Sequence, residues 1–96
     1  MDKEIVWTRK ALCDLKDVFD YIQKDSQYYA TSTTNELLNK VQLLKSSPLL
    51  GKMVPEFDDT DLRELLHKKY RVIYKLEKSI IYIVRIYHSA RLLSSI

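Results

Sequence analysis

The chain has 96 residues, of which 46% are hydrophobic and 30% charged, with one Gly, two Pro and a formal net charge of +3. This length supports one hydrophobic core, so we expect a single domain over residues 1–96, and the composition excludes a disordered or fibrous chain. No apolar run approaches the roughly 20 residues of a membrane-spanning helix, and the first residues lack a secretory-signal pattern, so we expect a cytoplasmic protein that does not bind membranes.

The first predicted elements are a strand and an amphipathic helix. Residues 3–8 alternate in polarity as a strand does, with Ile5 and Trp7 on one face. Thr8 is placed to cap the following helix, whose apolar residues recur at helical spacing from Ala11 to Ile22. The exposed side of this helix is expected to carry Asp14, Asp17 and Asp20.

A second helix is predicted to begin after its cap, Ser26, and to end at Ser46–Pro48. Its apolar stripe, widened by Leu38, consists of Ala30, Thr33, Leu37, Val41 and Leu44. Stripes of this kind normally face a core. The pattern therefore predicts an antiparallel helical hairpin with a structural role.

The segment from Leu49 to Asp61 is predicted to be an acidic loop, because it contains Gly51, Pro55 and four carboxylates. No His accompanies these carboxylates, and their spacing is not that of a calcium loop. Cys13 is the only Cys and cannot form a disulfide or a thiolate pair. We therefore expect no metal ion and no cofactor.

Three strands are predicted after the loop, over residues 62–66, 70–76 and 80–87, and short connections make them an antiparallel meander. The predicted fold class is α+β, with the element order β-α-α-β-β-β. It combines a small, largely antiparallel sheet with an N-terminal helical hairpin packed on one face. The other face is left for function, and residues 89–96 form a short tail.

Basic side chains concentrate in the last third of the chain. Residues 1–61 hold eight basic and eleven acidic side chains, whereas residues 62–96 hold eight basic and two acidic ones. This asymmetry indicates a polyanion or an acidic peptide as partner, because guanidinium groups suit bidentate contacts to phosphate or carboxylate. A solvated basic surface with no ligand explains the charge equally well. The candidate contacts to a target or nucleic acid are Arg63, Lys69, Arg71, Arg85, Tyr87 and Arg91.

The register of the last hairpin decides which of these side chains meet, since a shift of one residue moves a side chain to the other face. A two-residue turn at 77–78 would place Arg71 on the face that carries His88. A three-residue turn would place Arg71 opposite Arg85, on the face that carries Tyr87. Both registers predict a cationic site, with different members.

Such a site has the residue types that RNA cleavage needs. His88 is a candidate acid or base because imidazole titrates near neutrality, and Arg71 and Arg63 are candidates for stabilising the charge that grows on phosphorus. These three residues would make a metal-independent endoribonuclease. The alternative is that His88 is a structural, hydrogen-bonding residue at the end of a strand.

Several short segments occur along the chain in a characteristic order: Val6–Thr8, Ala11, Asp14–Leu15, Pro48, Gly51, Val54–Glu56, Arg63–Leu65, Tyr70–Tyr74, His88 and Arg91. In this order and spacing they resemble the RelE/ParE superfamily of toxins from bacterial type II toxin–antitoxin modules. The resemblance spans nearly the whole chain. It implies a growth-arresting toxin that a cognate antitoxin neutralises, with the antitoxin's C-terminal segment wrapped around the toxin in a hetero-oligomer.

The superfamily contains two activities, and this sequence resembles both. The helical hairpin, the Arg63–Leu65 run and the ending from His88 to Arg91 resemble ParE-like members, which poison DNA gyrase, and we favour this branch. RelE-like members cleave messenger RNA in the ribosomal A site. Arg71 matches their catalytic arginine, and His88 resembles the terminal histidine of the YoeB-like branch. The dense Lys-Arg run of the best-known nucleases is missing here, as is a tyrosine beyond His88. A third interpretation is a non-enzymatic nucleic-acid-binding module, whose affinity would fall steeply with salt.

Overall fold

A computed structural model describes residues 3–89 of the chain. Its elements are β1 (Glu4–Trp7), α1 (Arg9–Gln23), α2 (Gln27–Gln42), a 3-10 turn (Leu43–Lys45), β2 (Lys52–Met53), β3 (Leu62–His67), β4 (Tyr70–Leu76) and β5 (Ile80–His88). The five strands form one sheet in the order β1-β5-β4-β3-β2, in which only the β1–β5 pair is parallel. The α+β prediction is confirmed, and β2 is a short addition within the predicted loop. Arg91 and the rest of the tail after Ser89 lie outside the described residues.

Both helices begin at the predicted caps. The Thr8 hydroxyl accepts a hydrogen bond from the Ala11 N–H at 3.2 Å, and the Ser26 hydroxyl accepts one from the Tyr29 N–H at 3.2 Å. Each bond satisfies one of the backbone donors that a helix leaves unpaired at its start, which stabilises a helix by about 1 kcal/mol. The Thr8 hydroxyl also lies 3.0 Å from the Ile83 carbonyl oxygen, and this contact ties the start of α1 to β5.

The main core lies between the helical hairpin and one face of the sheet. The stripe predicted for the second helix is buried at its five main positions, from Ala30 in α2 to Leu44 in the 3-10 turn, whereas Leu38, which was expected to widen it, is exposed. Three of the five buried residues, Leu37, Val41 and Leu44, pack with Ala11 and Val18 of α1 against the sheet. The sheet residues in this layer are Leu65, Val72, Tyr74, Ile81, Ile83 and Ile86. Burial of a large aliphatic side chain contributes about 1.5–3 kcal/mol, so this layer fixes the helices on the sheet.

A second, smaller core covers part of the opposite face, which we had expected to be left for function. Val54 is buried there together with Leu62, Ile73 and Tyr87, and Phe57 packs against them. Two of these residues, Val54 and Phe57, come from the loop between β2 and β3. The loop therefore folds over this face of the sheet.

The turn between β4 and β5 begins one residue later in the chain than in either of the predicted registers, both of which begin it at residue 77. The Glu77 N–H donates to the Ile80 carbonyl at 2.9 Å, which leaves Lys78 and Ser79 as the two-residue turn. These two residues include none of the Gly or Asn residues that usually mark such a turn. The sequence therefore gave no local signal for its position.

An irregularity in the same hairpin moves the register again. Tyr74 is paired with Ile83, whereas Ile73 is paired with Arg85, so Val84 is an extra residue in β5. Such a bulge changes the pairing beyond it by one residue. Arg71 consequently lies opposite Tyr87, and both registers that we predicted are wrong.

Candidate functional site

Arg71 lies on β4, on the face away from the helices, and only 5% of it is exposed. Its terminal nitrogens Nη1 and Nη2 donate to the two carboxylate oxygens of Glu56, each at 2.8 Å. Its Nε donates to Glu64 Oε2 at 2.7 Å. Hydrogen bonds to Glu56 and Glu64 raise the pKa of Arg71, against the opposing effect of burial. The guanidinium is therefore held between two carboxylates.

Glu56 is held in place by a turn at the start of the loop. The Phe57 N–H donates to the Val54 carbonyl at 3.2 Å, so residues 54–57 form a turn with Pro55 at its second position, where proline is favoured. Val54 and Phe57 pack into the second core on either side of Glu56. The backbone that carries this carboxylate is thus anchored at both ends.

A cleft of about 360 Å³ lies next to this ion-pair network. Glu64 is 3% exposed, and the Lys52 amine lies 3.7 Å from its Oε1 atom. The lining residues are Lys52, Pro55, Glu56, Glu64, Leu66, Arg71 and Ser89. Because two cations face two carboxylates, the cleft has no net formal charge, in contrast to the predicted cationic site.

His88 lies on the other face of the sheet from Arg71. It is paired with Tyr70, and its ring meets the Tyr70 ring edge-on with 6.2 Å between centroids. Tyr87, directly opposite Arg71, is buried in the second core and is not placed on the surface. The fold therefore does not bring Arg71 and His88 together around one exposed point.

Arg85 is also engaged within the protein. Its Nε and Nη2 atoms donate to the Asp14 carboxylate at 2.7 and 3.1 Å, and its guanidinium carbon lies 4.8 Å from the centre of the Tyr87 ring. The bond to Asp14 raises the pKa of Arg85. Asp14 also accepts the Ile86 N–H at 2.9 Å, past the point where β1 ends. Our assignment of Asp14 to the exposed side of the helix is wrong, because its carboxylate binds the Arg85 side chain and a backbone N–H at the edge of β5.

Arg63 lies on the helix side of the sheet and binds the loop that contains Gly51. It is paired with Tyr74, and its Nη1 donates to the Gly51 carbonyl at 3.0 Å, while its Nε is buried with no hydrogen-bond partner among the described residues. The Tyr74 hydroxyl accepts the Gly51 N–H and donates to the Pro48 carbonyl, both at 2.9 Å. Burial raises the pKa of Tyr74. Arg63 is therefore separated from Arg71 by the sheet.

Lys69 is exposed in the turn between β3 and β4, beside a second ion-pair cluster. There the Lys68 amine and the His67 Nε2 atom lie 3.0 and 2.8 Å from Glu36 Oε1 on α2. Hydrogen bonds from Lys68 and His67 lower the pKa of Glu36. This cluster links the turn to the helical hairpin and leaves Lys69 pointing outward.

The arginines stand out in the sequence, whereas the carboxylates that hold them do not. Glu64 shares a face with Arg71 because the β3–β4 hairpin pairs it with Ile73, two residues along the strand. That register would have been a usable signal. Glu56 and Asp14 reach their partners through a loop and a helix, so no local pattern could have paired them.

Within residues 3–89, no group of three His, Cys, Asp or Glu side chains converges as metal ligands do. No helix in the same range combines the length and the apolar character that crossing a bilayer requires.

The fold and the sequence together identify the class of protein. Residues 5–93 match the family model described as the ParE toxin of the type II toxin–antitoxin system, parDE, and the chain belongs to this family within the RelE/ParE superfamily. The resemblance noted from the sequence is thereby confirmed.

Individual relatives agree with this assignment. The chain is 33% identical over 90 residues to Toxin RelE2 of Caulobacter vibrioides, and the match covers 93% of this chain and 98% of that protein. Among solved structures it is similar to the chromosomal ParDE system of P. aeruginosa, with a TM-score of 0.73, 22% identity and coverage of 90% of this chain and 95% of that one. It is also similar to the RelBE2 toxin–antitoxin complex of Mycobacterium tuberculosis, with a TM-score of 0.67, 17% identity and coverage of 92% and 99%. The two structural similarities establish the shared fold.

Proposed function

We propose that this type II toxin is a ParE-like inhibitor of DNA gyrase that arrests growth without nuclease chemistry of its own. The observation that carries the proposal is the separation of Arg71 from His88. Arg71 is ion-paired on one face of the sheet, and His88 lies on the other. The family match, whose description names parDE, points in the same direction.

Cleavage of a phosphodiester places a geometric requirement on the side chains that perform it. A proton-transfer group and a charge-stabilising donor must reach the same phosphate in the transition state. A guanidinium whose donors face two carboxylates must give up those bonds before it can stabilise new negative charge. The described residues therefore favour binding to a target over acid–base catalysis.

The alternative is a RelE-like, ribosome-dependent endoribonuclease that cleaves messenger RNA. Two observations favour it: the 33% identical relative is named Toxin RelE2, and His88 is exposed at the end of β5. In that case His88 would transfer a proton, and Arg71 would become available only after Glu56 moves.

The gyrase proposal is tested by measuring both targets with the same proteins. We expect the purified toxin to inhibit supercoiling by purified gyrase, and toxin induction in cells to produce DNA breaks without new messenger RNA ends. The matched variant is His88→Ala, an exposed position where folding should be preserved. We expect it to keep at least half of the inhibitory activity, because His88 has no chemical role in this proposal. Full supercoiling at toxin excess, or messenger cleavage that His88→Ala abolishes, would contradict the proposal.

We further propose that a cognate antitoxin binds the groove between the end of α2 and the β2–β3 edge. A cleft of about 420 Å³ lies there, with Leu43, Leu50 and Leu66 exposed around it and Lys40 and Lys52 beside it. β2 pairs only with residues 63 and 64 of β3, so the rest of this strand edge extends beyond β2. An extended segment with alternating apolar residues and acidic flanks fits these features.

The antitoxin proposal predicts a local effect of charge in the groove. We expect Leu50→Glu to weaken binding of the antitoxin encoded beside the toxin at least tenfold, because it places a carboxylate in an apolar contact and opposes acidic flanks. Tyr28→Glu adds the same charge at an exposed position at the opposite end of α2 and should leave the affinity within about twofold. Titration calorimetry of the purified pair measures both, and equal effects of the two variants would refute the placement.

A further inference from the structure

The contact between Glu56 and Arg71 has the geometry with which a guanidinium binds phosphate. Two parallel bonds of 2.8 Å join the two oxygens of one anion to Nη1 and Nη2. Arginine forms the same fork with carboxylates and with phosphates. Glu56 therefore occupies the position that a phosphate group would need in order to bind this fork.

The two carboxylates on Arg71 differ in their access to solvent. Glu64 is 3% exposed and contacts both Nε and Nη2 from within the sheet, whereas the Glu56 side chain is 16% exposed and binds Nη1 and Nη2 from the outer side. Glu56 thus covers the terminal nitrogens of Arg71 at a cleft that both side chains line. Its backbone is fixed by the 54–57 turn and by the packing of Val54 and Phe57, so the carboxylate is not on a freely moving lid.

The charge balance of the cleft depends on this one side chain. Arg71 and Lys52 face Glu56 and Glu64, so loss of the Glu56 charge would change the cleft from neutral to a formal charge of +1. The added charge would be located at a bidentate donor that is already oriented by Glu64. The cleft would then hold an oriented guanidinium whose position for an anion, now taken by the Glu56 carboxylate, is open to a phosphate group.

We propose that Glu56 is an intramolecular substitute for phosphate that closes Arg71 to nucleic acid, and that it determines which class of target this toxin can bind. The wild-type cleft excludes the phosphates of single-stranded RNA, and neutralising Glu56 opens a site for one of them. The inference gives a structural reason for the proposed absence of nuclease chemistry, and to that extent it rests on the proposed function. The binding event itself can be measured without reference to gyrase or ribosome.

The test is the affinity of a fluorescent 12-nucleotide oligouridylate RNA for the full chain, measured by anisotropy over a range of salt concentrations. We expect Glu56→Gln, which preserves the size of the side chain, to bind about tenfold more tightly than wild type at low salt, since a charge-assisted contact contributes at least that factor. One added phosphate contact should also steepen the dependence of log affinity on log salt by about 0.7. Asp58→Asn is the control, because it changes the net charge equally on the same exposed loop. Its affinity should stay within about twofold of wild type.

A second variant connects the gain to the guanidinium. Glu56→Gln/Arg71→Lys keeps the positive charge but removes the fork, and its affinity should return to that of Asp58→Asn. Thermal melting of each variant establishes that the folded state is being compared. Equal affinities of Glu56→Gln and Asp58→Asn would overturn the inference, as would a gain that survives the Arg71→Lys change. Neither result would bear on gyrase inhibition, whereas messenger cleavage by the wild-type toxin would refute the proposed function and leave the binding data intact.

Discussion

Replacing Arg71 with Ala should lower the free energy of unfolding by about 3–5 kcal/mol, the usual cost of leaving a buried charge without its partner. The group that loses its close partner is Glu64, which is 3% exposed, accepts the Arg71 Nε at 2.7 Å and would keep only the exposed Lys52 amine at 3.7 Å. For a domain of this size the loss corresponds to a decrease in melting temperature of roughly 12 °C or more. Chemical denaturation followed by circular dichroism measures it.

Two further variants separate the charge effect from a general effect of substitution. Lys75→Ala removes a cation from the same face of the same strand, at a partly exposed position, and should cost less than about 1 kcal/mol. Arg71→Met/Glu64→Leu removes both buried charges and should recover at least about 2 kcal/mol of the Arg71→Ala loss. If Arg71→Ala cost less than about 1 kcal/mol, the ion-pair network would not hold the loop on the sheet.

This expectation affects how toxicity data should be interpreted. The sequence resemblance likens Arg71 to the catalytic arginine of RelE-like members, so a loss of toxicity in Arg71→Ala would ordinarily be attributed to chemistry. Here the same loss would follow from unfolding, because Arg71 joins β4 to β3 and to the 54–57 turn. Activity measurements at this position are informative only together with the fraction of folded protein.

Replacing Gly51 with Ala should lower the free energy of unfolding by about 3 kcal/mol, through steric conflict and a disturbed hydrogen bond. An added Cβ would meet the carbonyl oxygen of Glu64 and would lie 2.6 Å from the Tyr74 hydroxyl oxygen. That hydroxyl accepts the Gly51 N–H at 2.9 Å, so the loop cannot move away without breaking the bond. Thermal and chemical denaturation measure the loss.

A double-mutant cycle identifies the source of the Gly51 effect. Tyr74→Phe alone should be destabilising, because it leaves the Gly51 N–H and the Pro48 carbonyl without their bonds to the hydroxyl. In Gly51→Ala/Tyr74→Phe the hydroxyl that opposes the new Cβ is gone, so the total loss should be smaller than the sum of the single losses. Strict additivity would mean that the conflict lies with the groups that Tyr74→Phe leaves in place, the Glu64 carbonyl oxygen and the ring carbon Cε1, which would lie 2.8 Å from the new Cβ.

The helical half of the fold could be predicted because its signals are local. Thr8 and Ser26 are caps with a specific backbone role, and the stripe from Ala30 to Leu44 has the period of a helix. Four of the five strands were also evident from their composition, to within one or two residues at their ends, whereas the two-residue β2 lies in the segment predicted to be a loop. Each of these features depends on residues that are close together in the sequence.

The site could not be predicted to the same extent because it depends on distant contacts. The extra residue at Val84 and the turn at Lys78–Ser79 set the register, and neither carries a characteristic sequence. The arginines stand out in the sequence, but their partners Glu56 and Asp14 are separated from them by 15 and 71 residues of chain. Net charge over a segment therefore overestimated how much positive charge the sheet presents to a ligand.

The bond from the Ile86 N–H to Asp14 has a consequence for the toxin when it is alone. The pairing of β1 with β5 ends at Trp7 and Ile83, so the rest of β5 is an edge strand on that side. Unpaired backbone groups on an edge strand can pair with a strand of another molecule. The Asp14 carboxylate accepts the hydrogen bond from the Ile86 N–H, but a side chain has no further backbone groups with which another strand could pair. The sheet therefore does not extend past this point. We expect this side of the protein to resist self-association during any period without a protective partner.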